Sequence, residues 1–191
     1  MKRTLAALLG IAAASAVALA QAPAQSSAPM DPALDKALAP APRNLKDGAT
    51  VIKWHPLPDM GYDTLRKGTN RLVCYDRAGD PGKQPFSAQC TSIANLDRVA
   101  QNRKFEAMTD KAARDAAMEE AEKNGTRVKP EFGSVWLTMQ GADREHARIH
   151  TTVAVPGATS KTLGLPEDNK QGGIWIMNAG TSTAHLMTPG S

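Results

Sequence analysis

Apolar positions change their spacing several times along this chain, and each change marks a predicted element. Residues 5–19 form an uncharged run dominated by Ala and Leu, preceded by Lys2 and Arg3 and followed by Ala18-Leu19-Ala20. That order of positive charge, apolar stretch and small residues is the pattern of a cleavable secretory signal peptide, with the cut between Ala20 and Gln21. A bilayer span needs about 20 apolar residues, and this run is shorter and rich in alanine. Residues 21–46 are rich in Ala, Pro, Ser and Gln, and Pro23, Pro29, Pro32, Pro40 and Pro42 interrupt helical periodicity. This stretch reads as a flexible linker, because so little apolar surface cannot offset the entropy of ordering it.

The pattern becomes strand-like at residues 49–54, where Val51 and Ile52 precede Pro56 and Pro58. Residues 63–76 read as a hairpin around Lys67-Gly68-Thr69-Asn70. Between residues 92 and 124 the spacing turns helical. Leu96 and Val99 mark a first helix, and Ala112, Ala113, Ala116, Ala117 and Ala121 favour a second. Asp110 is placed to cap the second helix, and Asn124-Gly125 to end it. Alternation returns at residues 133–140 and 148–155. A last hairpin is predicted from residues 174–178 and 184–188. The fold class is α+β: a mixed or mostly antiparallel sheet of about five or six strands, with two helices packed on one face. The domain plan is a signal peptide over 1–20, the linker over 21–46 and a single domain over 47–191.

Charge changes this picture little. The formal net charge of +4 falls to about +2 once Lys2 and Arg3 leave with the signal. No basic cluster is interleaved with aromatic residues, so nothing in the sequence points to nucleic acid. The cysteines matter more. Cys74 and Cys90 are the only two, and in an oxidising compartment such a pair is expected to be bridged. The segment between them contains Asp80-Pro81-Gly82 and Pro85, so a disulfide would staple irregular chain. Loop-closure entropy values it at roughly 3 kcal/mol.

Candidate chemistry rests on the four histidines, His55, His146, His150 and His185. His146 and His150 have the spacing of a helical metal pair, but on a strand four residues separate the rings by roughly 13 Å. Arg144 and Arg148 flank them and would repel a cation. His150, His185 and Met177 could share a face of neighbouring strands, with Met187 beside them. Imidazole and thioether together suit Cu(I). Met177 and Met187 equally suit a core that needs a flexible filler. Glu119, Glu120 and Glu122 read as the solvated face of the second helix. Ser134, Ser160 and Ser182 lie in no nucleophile elbow. Residues 157–162 lack the glycine before Lys161 that a phosphate-binding loop requires. No motif calls for a cofactor.

One resemblance spans most of the chain after the linker. It is carried by Gly48-Ala49-Thr50-Val51, by Leu65-Arg66-Lys67-Gly68-Thr69-Asn70 leading to Cys74, and by Met139-Gln140-Gly141. Gly172-Gly173-Ile174-Trp175-Ile176-Met177 and Ala184-His185-Leu186-Met187 complete it. This ordering resembles a group of exported bacterial proteins without an established activity, so the resemblance implies export and assigns no functional residue. The combined expectation is a periplasmic or secreted, non-enzymatic binding or envelope-associated module, taking an envelope partner or a small ligand, with no membrane span once mature. Two other classes stay open: an enzyme with a site around His185, and a His/Met metal-binding protein. The processing step can be checked directly, because mass spectrometry of the exported protein should find Gln21 as its first residue.

Overall fold

The computed structural model describes residues 30–189. The cleavage position and the first part of the linker lie outside these residues. Within them, eight strands form one mixed sheet: β1 (Thr50–Trp54), β2 (Tyr62–Arg66), β3 (Leu72–Asp76), β4 (Phe86–Ser92), β5 (Val135–Gly141), β6 (Arg148–Ala154), β7 (Trp175–Met177) and β8 (His185–Met187). Their order is β2-β1-β3-β4-β5-β6-β8-β7. Of these neighbours only β1 and β3 run parallel; the other adjacent pairs are antiparallel. The α+β class and mixed sheet agree with the sequence, whereas a count of five or six strands is too low.

The strand that the pattern misses is β4, and it is central. Six of its seven residues are buried. Beyond Phe86 they are small or polar: Ser87, Ala88, Gln89, Cys90, Thr91 and Ser92. A strand covered on both faces has no reason to alternate, so this one reads as loop. The stretch predicted as a hairpin also divides differently. β2 and β3 do not pair, because β1 lies between them. Gly68 permits that crossing: a Cβ there would sit 2.3 Å from the Gly48 carbonyl oxygen, so only glycine lets the two backbones approach.

Register sorts the side chains into two layers. Val51, Cys74, Cys90 and Leu137 lie opposite one another across β1, β3, β4 and β5. They share a core with Ala37 and Leu38. The disulfide joins Cys74 to Cys90 within this row. It therefore staples two paired strands, not an irregular loop. The other face carries Ile52, Trp54, Val73 and Tyr75, packed against Val99.

Helices cover both faces. On the second face lies α3 (Leu96–Glu106), with α4 (Lys111–Lys123) against it. Asp110 caps α4 by accepting from the Ala113 N–H at 3.0 Å, as its sequence implies. The first face is covered by α1 (Pro32–Ala37), followed by α2 (Arg43–Lys46). Residues 30–46 are thus not a flexible linker, and the packed body begins near Asp31. The prolines that argue against order in the sequence are compatible with it here. Pro32 sits in the first turn of α1, where a missing N–H costs nothing. Pro40 is fully buried. Asp31 caps the helix through the Ala33 N–H at 2.8 Å. Lys36 pairs with Asp76 at 2.8 Å, and Asp35 with Arg144. Arg66 donates to the carbonyls of Lys46 at 2.7 Å and Ala49 at 2.8 Å.

A short last helix, α5 (Ser160–Leu163), begins at Thr159, whose side chain and that of Thr162 cap each other. A smaller core of Val155, Ala158, Ile176 and Ala184 holds this end. None of the helices among the described residues is long and apolar enough to cross a membrane.

Leu38 is 0% exposed, so replacing Leu38 with Ala should cost about 2–4 kcal/mol through the lost burial and the cavity left behind. Equilibrium denaturant unfolding would measure this, and a loss near zero would return residues 30–46 to the role of linker.

Candidate functional site

A wide cleft forms where β1 ends. Trp54 closes the strand and His55 opens the turn toward β2. Pro56 and Pro58 rule out a continued ladder on that side. The turn after β3, residues 77–81, folds over the same end of the sheet, with Asp80-Pro81 at its tip. From α3, Arg103 reaches the same place. It lies on the core-facing stripe set by Leu96 and Val99, one turn beyond Val99. Ala33 and Ala37 of α1 complete the wall. Together these residues line a cleft of about 830 Å³.

Buried charge organises the cleft. Lys83 pairs with Glu106 at 3.0 Å, Glu106 with Arg77, Arg77 with Asp80 at 3.0 Å, and Asp80 with Arg103 at 3.1 Å. Charges therefore alternate from the surface inward and end at Arg103. The Arg77 side chain is only 5% exposed and that of Arg103 only 3%. Burial works against the Arg77 charge, but Glu106, Tyr75 and Asp80 outweigh it and raise its pKa. Burial also pushes the Tyr75 hydroxyl up. That hydroxyl donates to Gln89 at 2.8 Å, and Gln89 donates to Thr138 at 2.8 Å.

Arg103 is held from three sides. Nε and Nη2 donate to Asp80 at 3.3 and 3.1 Å, and Nη2 also donates to the His55 carbonyl at 3.0 Å. Its guanidinium lies 5.0 Å from the centre of the Trp54 ring, a cation–π contact. Tyr62 and Tyr75 meet the same indole edge-on at 5.3 and 5.9 Å. Two donors here have no partner among the described residues: Arg103 Nη1 and Trp54 Nε1. A buried donor left unpaired costs about 1–3 kcal/mol, so a pair of them at one cleft is a feature that asks for an acceptor.

His55 stands at the rim. Its Nδ1 is 2.8 Å from Asp59 and its Nε2 is 3.3 Å from Asp63. The hydrogen bond with Asp59 comes first, and that with Asp63 second, in raising its pKa above the ordinary histidine value. Asp59 is held below the usual carboxylate range by the Gly61 N–H, then by His55. A carboxylate at each nitrogen favours the protonated ring and leaves neither nitrogen turned freely toward a substrate.

The residues that the sequence singles out for chemistry lie elsewhere, and they do not converge. His185 lies opposite Met177 in the β7–β8 pair and opposite Ala154 of β6. His150 lies opposite Thr138. Four residues separate it from Ala154 along β6, roughly 13 Å, so His150 cannot share one ion with His185 and Met177. Among the described residues no group of three or more His, Cys, Asp or Glu is placed to hold a metal ion. His185 does line a small cleft of about 120 Å³ with Arg98, Thr152 and Thr183, but among the described residues no carboxylate lines it. Its Nδ1 is engaged by the Thr183 carbonyl at 2.8 Å. Arg98 is satisfied structurally, donating to Ser182 at 3.1 Å, Thr183 at 3.0 Å and the Val128 carbonyl. Burial, then repulsion from Arg127, pushes its pKa down to about 10. Glu122 is not simply solvated, since it accepts from the Ser182 hydroxyl at 2.6 Å.

Another concavity, about 470 Å³, runs between α2 and the start of β5. Its apolar lining includes Phe132, 64% exposed, with an Arg71–Glu131 ion pair at its rim.

No protein-family model, curated protein or solved structure matches this chain.

Sequence patterning does not single out Trp54, Arg77, Asp80 or Arg103. A usable signal is present in one of them, an arginine on the apolar stripe of α3. For His55 the bracket of Asp59 and Asp63 has a measurable consequence. Its pKa, followed by NMR titration of the four histidine rings, should lie above 6.5, and Asp59→Asn should lower it. Because the folded pKa is raised, the stabilisation is complete below the unfolded value and is lost as pH rises through the folded value.

Proposed function

We propose that this chain is an exported, non-enzymatic binding module and that its ligand seats in the cleft between Trp54, His55 and Arg103. The observation that carries this reading is that two residues lining a cleft of about 830 Å³, Trp54 and Arg103, each hold a buried donor with no partner among the described residues. Small-molecule sites commonly measure about 300–1,000 Å³, with mostly apolar walls and a few converging polar groups. Here Ile52, Leu57, Leu65 and Ala37 supply apolar wall, and Lys53, Asp63 and Arg103 supply polar groups.

The chemistry of the lining favours binding over catalysis. Among the described residues no Ser, Thr or Cys lines this cleft, so no hydroxyl or thiol nucleophile of these types faces it. His55, the ring best placed for acid–base work, already has a carboxylate at each nitrogen. Export is inferred from the order of residues at the N-terminus, and a fully buried disulfide is compatible with an oxidising compartment.

Filling the cleft tests the proposal. Ala33 is exposed on α1 and lines the cleft, so Ala33→Trp should occupy it at little cost to folding. A panel of small acids, amines, sugars and neutral amides would be screened by thermal shift against the wild type and this variant. A ligand present at about a hundred times its Kd stabilises by about 2.7 kcal/mol. The expected result is at least one class that raises the wild-type Tm and loses that effect in Ala33→Trp. A panel without any hit, or hits indifferent to Ala33→Trp, would count against the cleft.

A further inference from the structure

The charge balance of the cleft names what its ligand carries, provided the cleft is the ligand site. Along Lys83, Glu106, Arg77, Asp80 and Arg103 the charges alternate, beginning and ending with a cation. Three positive groups thus face two negative ones. Lys83 is the more solvated end, with 22% of its side chain exposed, while Arg103 is closed off at 3%. The uncompensated charge therefore falls at the buried end. Water cannot solvate it there, and only one of the guanidinium's two terminal nitrogens is used.

The other carboxylates of the cleft are already committed. Asp76 pairs with Lys36 at 2.8 Å, and Asp63 faces His55 at 3.3 Å. Neither comes within ion-pair distance of Arg103, whose only ion-pair partner among the described residues is Asp80. The other unpartnered atom among the residues lining the cleft is also a donor, Nε1 of Trp54, the indole on which the Arg103 guanidinium lies at 5.0 Å. Lys53, which also lines the cleft and has no ion pair among the described residues, offsets the one negative charge that a protonated His55 leaves between Asp59 and Asp63. One positive charge therefore stays unbalanced, and with two donors it favours an acceptor with a single negative charge. A carboxylate meets all three conditions. A phosphate dianion would bring a second charge toward Asp63, Asp76 and Asp80.

We infer that the cleft binds a small monocarboxylate, its oxygens accepting from Arg103 Nη1 and Trp54 Nε1 and its apolar body lying against Ile52, Leu57 and Leu65. The alternating chain of charges is then completed by the ligand itself. Both donors are shut off from solvent, so entry requires a rotamer change in a wall side chain, an adjustment that binding ordinarily produces.

The test follows the indole N–H directly. Of the three tryptophans, the cross-peak lost in Trp54→Phe identifies Trp54 in a ¹H–¹⁵N spectrum of the wild-type protein. Benzoate and hexanoate are titrated, with benzamide as the neutral isostere and inorganic phosphate as the competing anion. The expected result is a saturable shift of the Trp54 cross-peak with both carboxylates and none with benzamide. Affinity should fall roughly tenfold or more in Trp54→Phe, and again in Arg103→Gln, from loss of a charge-assisted hydrogen bond. Should Arg103→Gln fail to fold, Trp54→Phe carries the comparison alone. An unmoved Trp54 peak at millimolar carboxylate, equal binding of benzamide, or tighter binding of phosphate overturns the inference. A neutral compound that binds the wild type and is lost in Ala33→Trp would sink the carboxylate while leaving the cleft standing. Carboxylate binding that survives Ala33→Trp would sink both.

Discussion

Cys74 and Cys90 stand opposite one another on β3 and β4, and the rest of the structure depends on the register this pairing holds. A slip of one residue between paired strands turns every side chain to the other face. In this sheet that exchange would be ruinous, because the two faces are committed to different chemistry. One face presents Val51, Cys74, Cys90 and Leu137 to Ala37 and Leu38. The other presents Trp54 and Tyr75, with the buried arginines gathered beyond them. The strand that most needs a fixed register is β4, whose small and polar residues offer little to choose between the faces. The disulfide supplies by covalent bond the specificity that its hydrophobic pattern lacks.

The candidate site follows from the same arrangement. β1 lies between β2 and β3, so Trp54 reaches the end of the sheet beside the 77–81 turn. α3 crosses the face below it and delivers Arg103. The indole then serves as a floor for the guanidinium and a contact for two tyrosines. Buried ion pairs are a weak source of stability, since desolvation offsets most of the attraction. A chain of five charged groups that ends on an unpaired donor therefore adds little stability by itself, and the proposed ligand would supply its missing partner.

Residues 30–46 show how composition misleads. Their prolines look like helix breakers, yet Pro32 starts a helix and Pro40 packs. The hydrophobic content is low, but Ala37 and Leu38 are concentrated on one well-defined groove over the disulfide row. The histidines show a different limit. Alternation places His150, Met177 and His185 on strands, where the structure has them, and Met177 does lie opposite His185. What strand assignment cannot supply is displacement along the strand, and four residues on β6 are enough to separate His150 from the other two.

What the sequence determined by itself was whatever acts over a few neighbouring residues. Alternation placed β1, β5, β6 and the β7–β8 hairpin, the Asp110 cap and Asn124-Gly125 bounded α4, and two cysteines implied a bridge. Tertiary structure alone decided that β4 is a strand, that residues 32–37 form a packed helix and that Arg103 meets Trp54. The reason is physical. Alternation and caps act locally, through the pleat and the free N–H groups of a single turn. The burial of a small or polar residue depends on which layers cover it, and those layers come from distant parts of the chain. Trp54, Asp80 and Arg103 become one site only after the sheet has brought them together.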